Sequence, residues 1–272
     1  MFRKLRLAVG VLLVLGCPAG AAAVDAGPLL RVDVRRVKIS LGFAGQQIFI
    51  YGEVPSGTRR VVSVVEAPPD GPVRLMRKGR VGPFWLGVDQ YAVEGVPGLY
   101  LVNTSCPGGN VTRPCAERDP LALAAQILRK SGILIGPAEI ERRARVAVLG
   151  GKDAGAREQD LLEGFWTLEE SRGLYSVNGN GIFLGPDGKY FFRATVPVSA
   201  PEGTYSITTY FLGESSMIDA SRVELFVSRQ GLVAWLARLA ERRAYLYGGI
   251  TVFIALVAGL FVGTVFRRGG HH

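Results

Sequence analysis

APEGTYSITTYFL, residues 200–212, sets a Pro-Gly turn directly ahead of a run in which Tyr205, Ile207 and Thr209 alternate with polar neighbours. Side chains two apart on a strand point the same way, so this is the pattern of a sheet with one face on a core. Val96-Pro97-Gly98-Leu99-Tyr100 repeats the device earlier in the chain. Outward from these corners the sequence breaks into short strand-like runs bounded by Gly, Pro and Asp. They are Val37–Leu41, Gln47–Tyr51, Arg60–Glu66, Val73–Arg77, Pro83–Val88 and Leu99–Asn103 in the first half. Gly181–Leu184, Tyr190–Pro197, Thr204–Leu212 and Arg222–Ser228 make up the second.

That rhythm predicts a mainly β protein, an immunoglobulin-like antiparallel β-sandwich. Residues 119–172 interrupt it. Asp119-Pro120 is a cap and first-turn pair, and Leu121, Ala124, Ala125 and Leu128 share a helical face closed by Gly132. Further helices are expected over Pro137–Val148 and Ala156–Ser171. In the latter, Leu161, Leu162, Phe165, Trp166 and Leu168 are the apolar side, and Glu158, Asp160, Glu163 and Glu169 read as a solvated face. Two sandwich modules, or one larger sandwich with a helical insertion at about 119–172, would fit. The second half has too few strands to close alone, which favours one body over residues 24–228.

Both ends speak of membranes. Arg3, Lys4 and Arg6, the apolar Leu7–Leu15 and Ala21-Ala22-Ala23 have the order of a secretory signal over residues 1–23. An uncleaved anchor fails on length, since so short an apolar run does not cross about 30 Å of hydrocarbon. Val14-Leu15-Gly16-Cys17 faintly resembles a lipoprotein cleavage box, although Leu15 and Pro18 suit it poorly. At the other end, Leu246–Phe266 carries no charge in 21 residues, enough helix for about one bilayer core. Tyr245, Tyr247, Arg267 and Arg268 stand where interface anchors belong. Residues 229–245 read as an amphipathic juxtamembrane helix, with Trp235, Arg238, Arg242 and Arg243 toward lipid headgroups. The implied topology is a single-pass bacterial inner-membrane protein: body in the periplasm, span at 246–266, residues 267–272 in the cytoplasm. Within the span Ala255, Gly259 and Gly263 form a small-residue stripe on which another helix, of a partner or of a second copy, could pack.

Composition narrows the chemistry. The 272 residues hold 3 Cys and 2 His, and both histidines are the last two residues. A body without imidazole has no histidine triad, base or metal ligand. The mean hydropathy of +0.23 is high for a soluble domain. The net charge of +9 falls to +6 once Arg3, Lys4 and Arg6 leave with the signal, and no aromatic–basic interleaving marks a nucleic-acid face. Loss of Cys17 would leave Cys106 and Cys115 in CPGGNVTRPC. In an oxidising compartment that spacing predicts a structural disulfide, and too few thiolates remain for a metal. Gly150-Gly151-Lys152-Asp153 lacks the rest of a phosphate loop and reads as a link. Ser215-Ser216 has neither nucleophile elbow nor base. No catalytic residue, cofactor or metal is expected; a hydrolase built on distant carboxylates is a remote alternative.

GFAGQQIFIYGEV (42–54), VEAPPDGPVRLMRKGRVGPFWLGVD (65–89), VEGVPGLYLVNTS (93–105), GLYSV (173–177), FFRATVPVSAPEGTYSITTYFL (191–212) and the LYGG…VFRR span resemble one family. It is the alphaproteobacterial transmembrane-protein family of unknown function, and the Cys106–Cys115 loop lies outside the shared pattern. The resemblance implies a periplasmic domain with one C-terminal span. It also implies an accessory role beside a multi-span permease, of the sulfite-exporter type. The function expected is therefore a non-enzymatic accessory or scaffold subunit docked on an integral membrane partner. A periplasmic small-ligand or sensing module, using Phe84, Trp85 and Tyr91 as an aromatic edge, is the alternative.

Overall fold

Both Pro-Gly corners open strands. The computed structural model describes residues 29–106, 119–150, 157–231, 239 and 244–267; in the last stretch it describes the side chains of Tyr245 and 247–263. Twelve strands are described: β1 (Arg31–Val32), β2 (Arg36–Ile39), β3 (Gln46–Glu53), β4 (Arg60–Glu66), β5 (Val73–Val81), β6 (Phe84–Glu94), β7 (Tyr100–Ser105), β8 (Arg145–Gly150), β9 (Tyr175–Leu184), β10 (Lys189–Val196), β11 (Gly203–Leu212) and β12 (Met217–Arg229). Four helices are described: α1 (Pro120–Lys130), α2 (Pro137–Arg143), α3 (Glu158–Ser171) and α4 (Ala244–Arg267). The protein is mainly β.

Nine strands form one sheet in the order β1-β3-β10-β9-β7-β4-β11-β12-β2, so strands from the two halves of the chain alternate within it. Pairing is antiparallel except where β7 meets β9 and where β12 meets β2. The sheet must curl. Tyr190 on β10 and Phe211 on β11 are four strands apart, about 19 Å in a flat sheet at strand spacing. Their ring centroids are 5.8 Å apart. The two halves of the sheet therefore face one another across a shared core of Ile48, Ile50, Phe192, Tyr205, Ile207 and Leu225.

β4 and β7 are buried along both faces. The register puts Val61, Ser63 and Val65 opposite Phe211, Thr209 and Ile207, on the core side. Val62, Val64 and Glu66 turn the other way, opposite Thr104, Val102 and Tyr100. On that side Tyr100 and Tyr175 meet Trp166 of α3 edge-on, at 6.4 and 5.2 Å. A strand covered on both faces has no polar phase, which is why RVVSVVE reads as a continuous β-branched run.

Residues 119–172 are not wholly helical. α1 begins as expected, with Asp119 Oδ1 accepting from Ala122 N at 2.9 Å. The helix expected to reach Val148 stops at Arg143. Ala144 turns extended (φ −61°, ψ 136°), and Val146 and Val148 pair with Val93 and Tyr91 to make β8. The competing pattern was local: β-branched residues at alternate positions favour a strand once an edge is free to receive them. β5, β6 and β8 form a second, three-stranded sheet. Glu169 also corrects its expected placement on a solvated face. It is 3% exposed, turned inward and paired with Arg172 at 2.9 Å. Among the described residues no helix is long and apolar enough to cross a membrane.

Candidate functional site

The connection from β4 to β7 is drawn out into a long hairpin arm, β5–β6. Its two-residue loop is Gly82-Pro83, with Gly82 at φ +61°, the left-handed value that the first position of a type II′ turn requires. At the root, Val73, Leu75 and Arg77 oppose Val93, Tyr91 and Asp89. Tyr91 and Asp89 are each 2% exposed, and Arg77 Nε donates to Asp89 at 2.8 Å. Asp89 and Tyr91 beside it hold the Arg77 pKa above its ordinary value, hydrogen bonding to Asp89 leading. A bulge after Arg77 leaves Val88 unopposed and shifts the alternation beyond it. Outward from there the arm is bare: Phe84 is 65% exposed and Trp85 70%, with Val81 and Leu86 also exposed. Arg74, Lys78 and Arg80 are exposed along β5.

The arm is held at its base by an ion-pair network. Glu139 of α2 accepts from Arg142 at 2.9 and 2.6 Å and from Arg143, and Arg143 also reaches Glu66 at the end of β4. Burial pushes the Glu139 carboxyl up, but the hydrogen bonds from Arg142 and Arg143 outweigh it and hold its pKa below the usual value. Burial keeps Glu169 above the usual value despite Arg172.

A second feature lies on the outer face of the other half-sheet. Registers align Arg31, Tyr51, Phe191 and Phe183 in a row across β1, β3, β10 and β9. Phe183 and Phe191 are 4.9 Å apart, and Arg193 lies over the Phe49 ring at 5.1 Å. A groove of about 500 Å³ runs beside Arg31, Tyr51, Lys189 and Phe191. This strip was missed in the sequence reading. Its signal was aromatics, Phe49, Tyr51 and Phe191, on the strand phase normally left to polar residues. An open cleft of about 650 Å³ lies between β5 and α3, lined by Arg74, Met76, Arg77, Asp160 and Leu161.

A family described as "Putative transmembrane protein (Alph_Pro_TM)" matches residues 30–268. The chain belongs to this family. Its description ties the family to membranes, in agreement with the resemblance read from the sequence. No curated protein and no solved structure matches.

For this family member the expected site residues are scattered. Ala255, Gly259 and Gly263 lie on α4 four residues apart and exposed, and a β-carbon at either glycine would meet nothing within 4 Å. Tyr245 and Tyr247 are exposed near the start of α4, and Arg267 is its last residue. Trp235, Arg238, Arg242, Arg243 and Arg268 lie outside the described residues, as do the expected signal, Cys17 and residues 151–156. Cys106 is buried just beyond β7, and Cys115 also lies outside the described residues. The expected aromatic edge does not assemble. Phe84 and Trp85 are adjacent on a strand and so point to opposite faces, while Tyr91 is buried at the arm's root. Among the described residues no group of three or more His, Cys, Asp or Glu side chains is placed to hold a metal.

Proposed function

We propose that this chain is a non-enzymatic accessory subunit. An immunoglobulin-like body is held in the periplasm by one span, Leu246–Phe266, and docked through that span on a multi-span inner-membrane partner. The observation that carries the reading is α4. It is a 24-residue helix, about 36 Å long at 1.5 Å per residue, and its described side chains 247–263 are all exposed. A helix apolar on every side needs lipid or other helices around it, and the family's description agrees. The open stripe of Ala255, Gly259 and Gly263 is where a neighbouring helix would approach.

The body's topology supports the immunoglobulin-like part. β3 pairs with β10, β4 with β11 and β11 with β12, and the early strand β2 runs parallel to the last strand β12. Tyr205, near the start of β11, donates its hydroxyl to Pro201 O at 2.6 Å, the bond of a tyrosine corner. A buried, disulfide-bonded Cys106 supports the Cys106–Cys115 staple, and with it an oxidising compartment.

Gentle detergent extraction followed by mass spectrometry tests the reading. A stoichiometric multi-span permease, of the sulfite-exporter type that the family resemblance implies, is expected with the natural chain and lost with Gly259→Leu/Gly263→Leu. Unchanged recovery of the partner removes the stripe from the account. A lone monomer that binds a small solute would favour a sensing module instead; the strip of Tyr51, Phe191 and Phe183 with its groove is the feature that favours this second reading.

A further inference from the structure

We propose that the tip of the β5–β6 arm is a second membrane contact, with Phe84, Trp85 and Leu86 entering the interface of the anionic bilayer that α4 crosses. The inference rests on reading α4 as a span.

Position comes first. The arm leaves the sheet at Glu66 and returns at Tyr100, which are paired with one another. Ser206 pairs with Glu66, and Gly203, three residues further out, pairs with Val227 near the end of β12. Pro68 packs on Gly203 and Pro201 on Gly98, while Arg229 N donates to Glu202 at 3.1 Å. The arm's root and the point where the chain departs for α4 therefore share one end of the curled sheet. The nine residues of β5 reach about 30 Å at strand rise. Residues 230–243 separate the body from α4 and cover about 21 Å as helix or about 46 Å extended. Tip and bilayer are within each other's range.

Chemistry then selects the occupant. From Val81 to Val88 the arm carries no charge. Phe84 pairs with Val81 and Trp85 with Arg80, so apolar side chains stand on both faces of the hairpin end. A groove on a protein covers one face of such an element, whereas the interfacial layer of a bilayer surrounds it. Trp places an apolar ring and one N–H donor at headgroup depth. Just behind the tip come the exposed cations Lys78 and Arg80, with Arg74 further back. β5 holds no acidic residue, and Asp89 is buried against Arg77. An apolar end with a cationic collar complements anionic lipid.

The test uses the full chain reconstituted in phosphatidylcholine vesicles with and without phosphatidylglycerol, read by tryptophan quenching with brominated phosphatidylcholine. Subtracting the Trp85→Phe variant isolates Trp85 from Trp166 and Trp235. The expected result is that Trp85 emission is quenched from the lipid and shielded from aqueous acrylamide. Most of that quenching should be lost in Lys78→Gln/Arg80→Gln and at high salt in the phosphatidylglycerol vesicles. Full acrylamide access with no lipid quenching overturns the proposal, as does protection that arises only when a co-purified protein partner is present. Alkaline extraction of the same vesicles reads α4 separately. α4 retained with Trp85 unquenched sinks the arm contact alone; α4 released with Trp85 still quenched sinks the span and leaves the arm contact standing.

Discussion

Two buried glutamates, Glu139 and Glu169, sit in opposite electrostatic circumstances and should titrate stability in opposite senses. Glu139 is held ionised by two arginines, its pKa depressed in the fold. Its contribution is present above the unfolded glutamate value, about 4.3, and is lost as pH falls through the lower folded value. Glu139→Gln should therefore cost about 1–2 kcal/mol near neutrality, the scale of charge-assisted hydrogen bonds to part-exposed arginines, and the difference from the natural chain should shrink in acid. Glu169 is raised by burial. Its contribution is present below the unfolded value and is lost as pH rises through the higher folded one, so Glu169→Gln should gain on the natural chain as pH increases. Urea unfolding across that range checks both; parallel curves for the two variants would show that neither carboxyl couples to folding. Nothing in the sequence separates the two. Both lie on amphipathic helices among other charges, and only the packing of α2 against the end of β4 and of α3 against the sheet turns these two inward.

At the scale of elements, strand identity was legible wherever one face is wet. β10 alternates buried and exposed along its whole length, and its residues KYFFRATV announce that phase. β1 was not legible, because two residues carry no periodicity. It is fixed by contacts that only folding supplies. Arg31 and Val32 pair with Tyr51 and Ile50, and Tyr190 donates its hydroxyl to Leu29 O at 2.6 Å. A β-carbon at Gly52 would stand 2.3 Å from that same carbonyl oxygen. Gly52→Ala should therefore dislodge the β1 edge at a cost of about 1–3 kcal/mol, the usual range for overpacking. Amide exchange at Asp33, whose N donates to Phe49 O at 3.0 Å, should accelerate while the β4–β11 core stays protected. Unaltered protection at Asp33 would mean that the strand yields without leaving. β8 was hidden for a different reason: its alternation continues directly from a helical pattern, and the edge that receives it belongs to a hairpin fifty-odd positions earlier in the chain, by the pairing of Glu94 with Arg145.

For the whole molecule, the proposed orientation fixes which side of the membrane each end occupies. With the body in the periplasm, a cysteine placed at the exposed Glu158, opening α3, should react with a membrane-impermeant maleimide in cells whose outer membrane alone is permeabilised. One placed at Gly269 should react only after lysis. The reverse pattern would invert the topology and with it the accessory role.

The sequence by itself determined the β-rich body, its Pro-Gly corners, the cap of α1, the charge-free run at 246–266 and the family, because each of these is written in local composition and short-range periodicity. Only the tertiary structure decided that the halves interleave in one curled sheet, that Glu139 and Glu169 are buried, and that an arm with an apolar tip leaves from the end where β12 finishes. Those features depend on register and on pairing between residues far apart in the chain, and a strand's pattern records which of its faces is dry without recording what dries it.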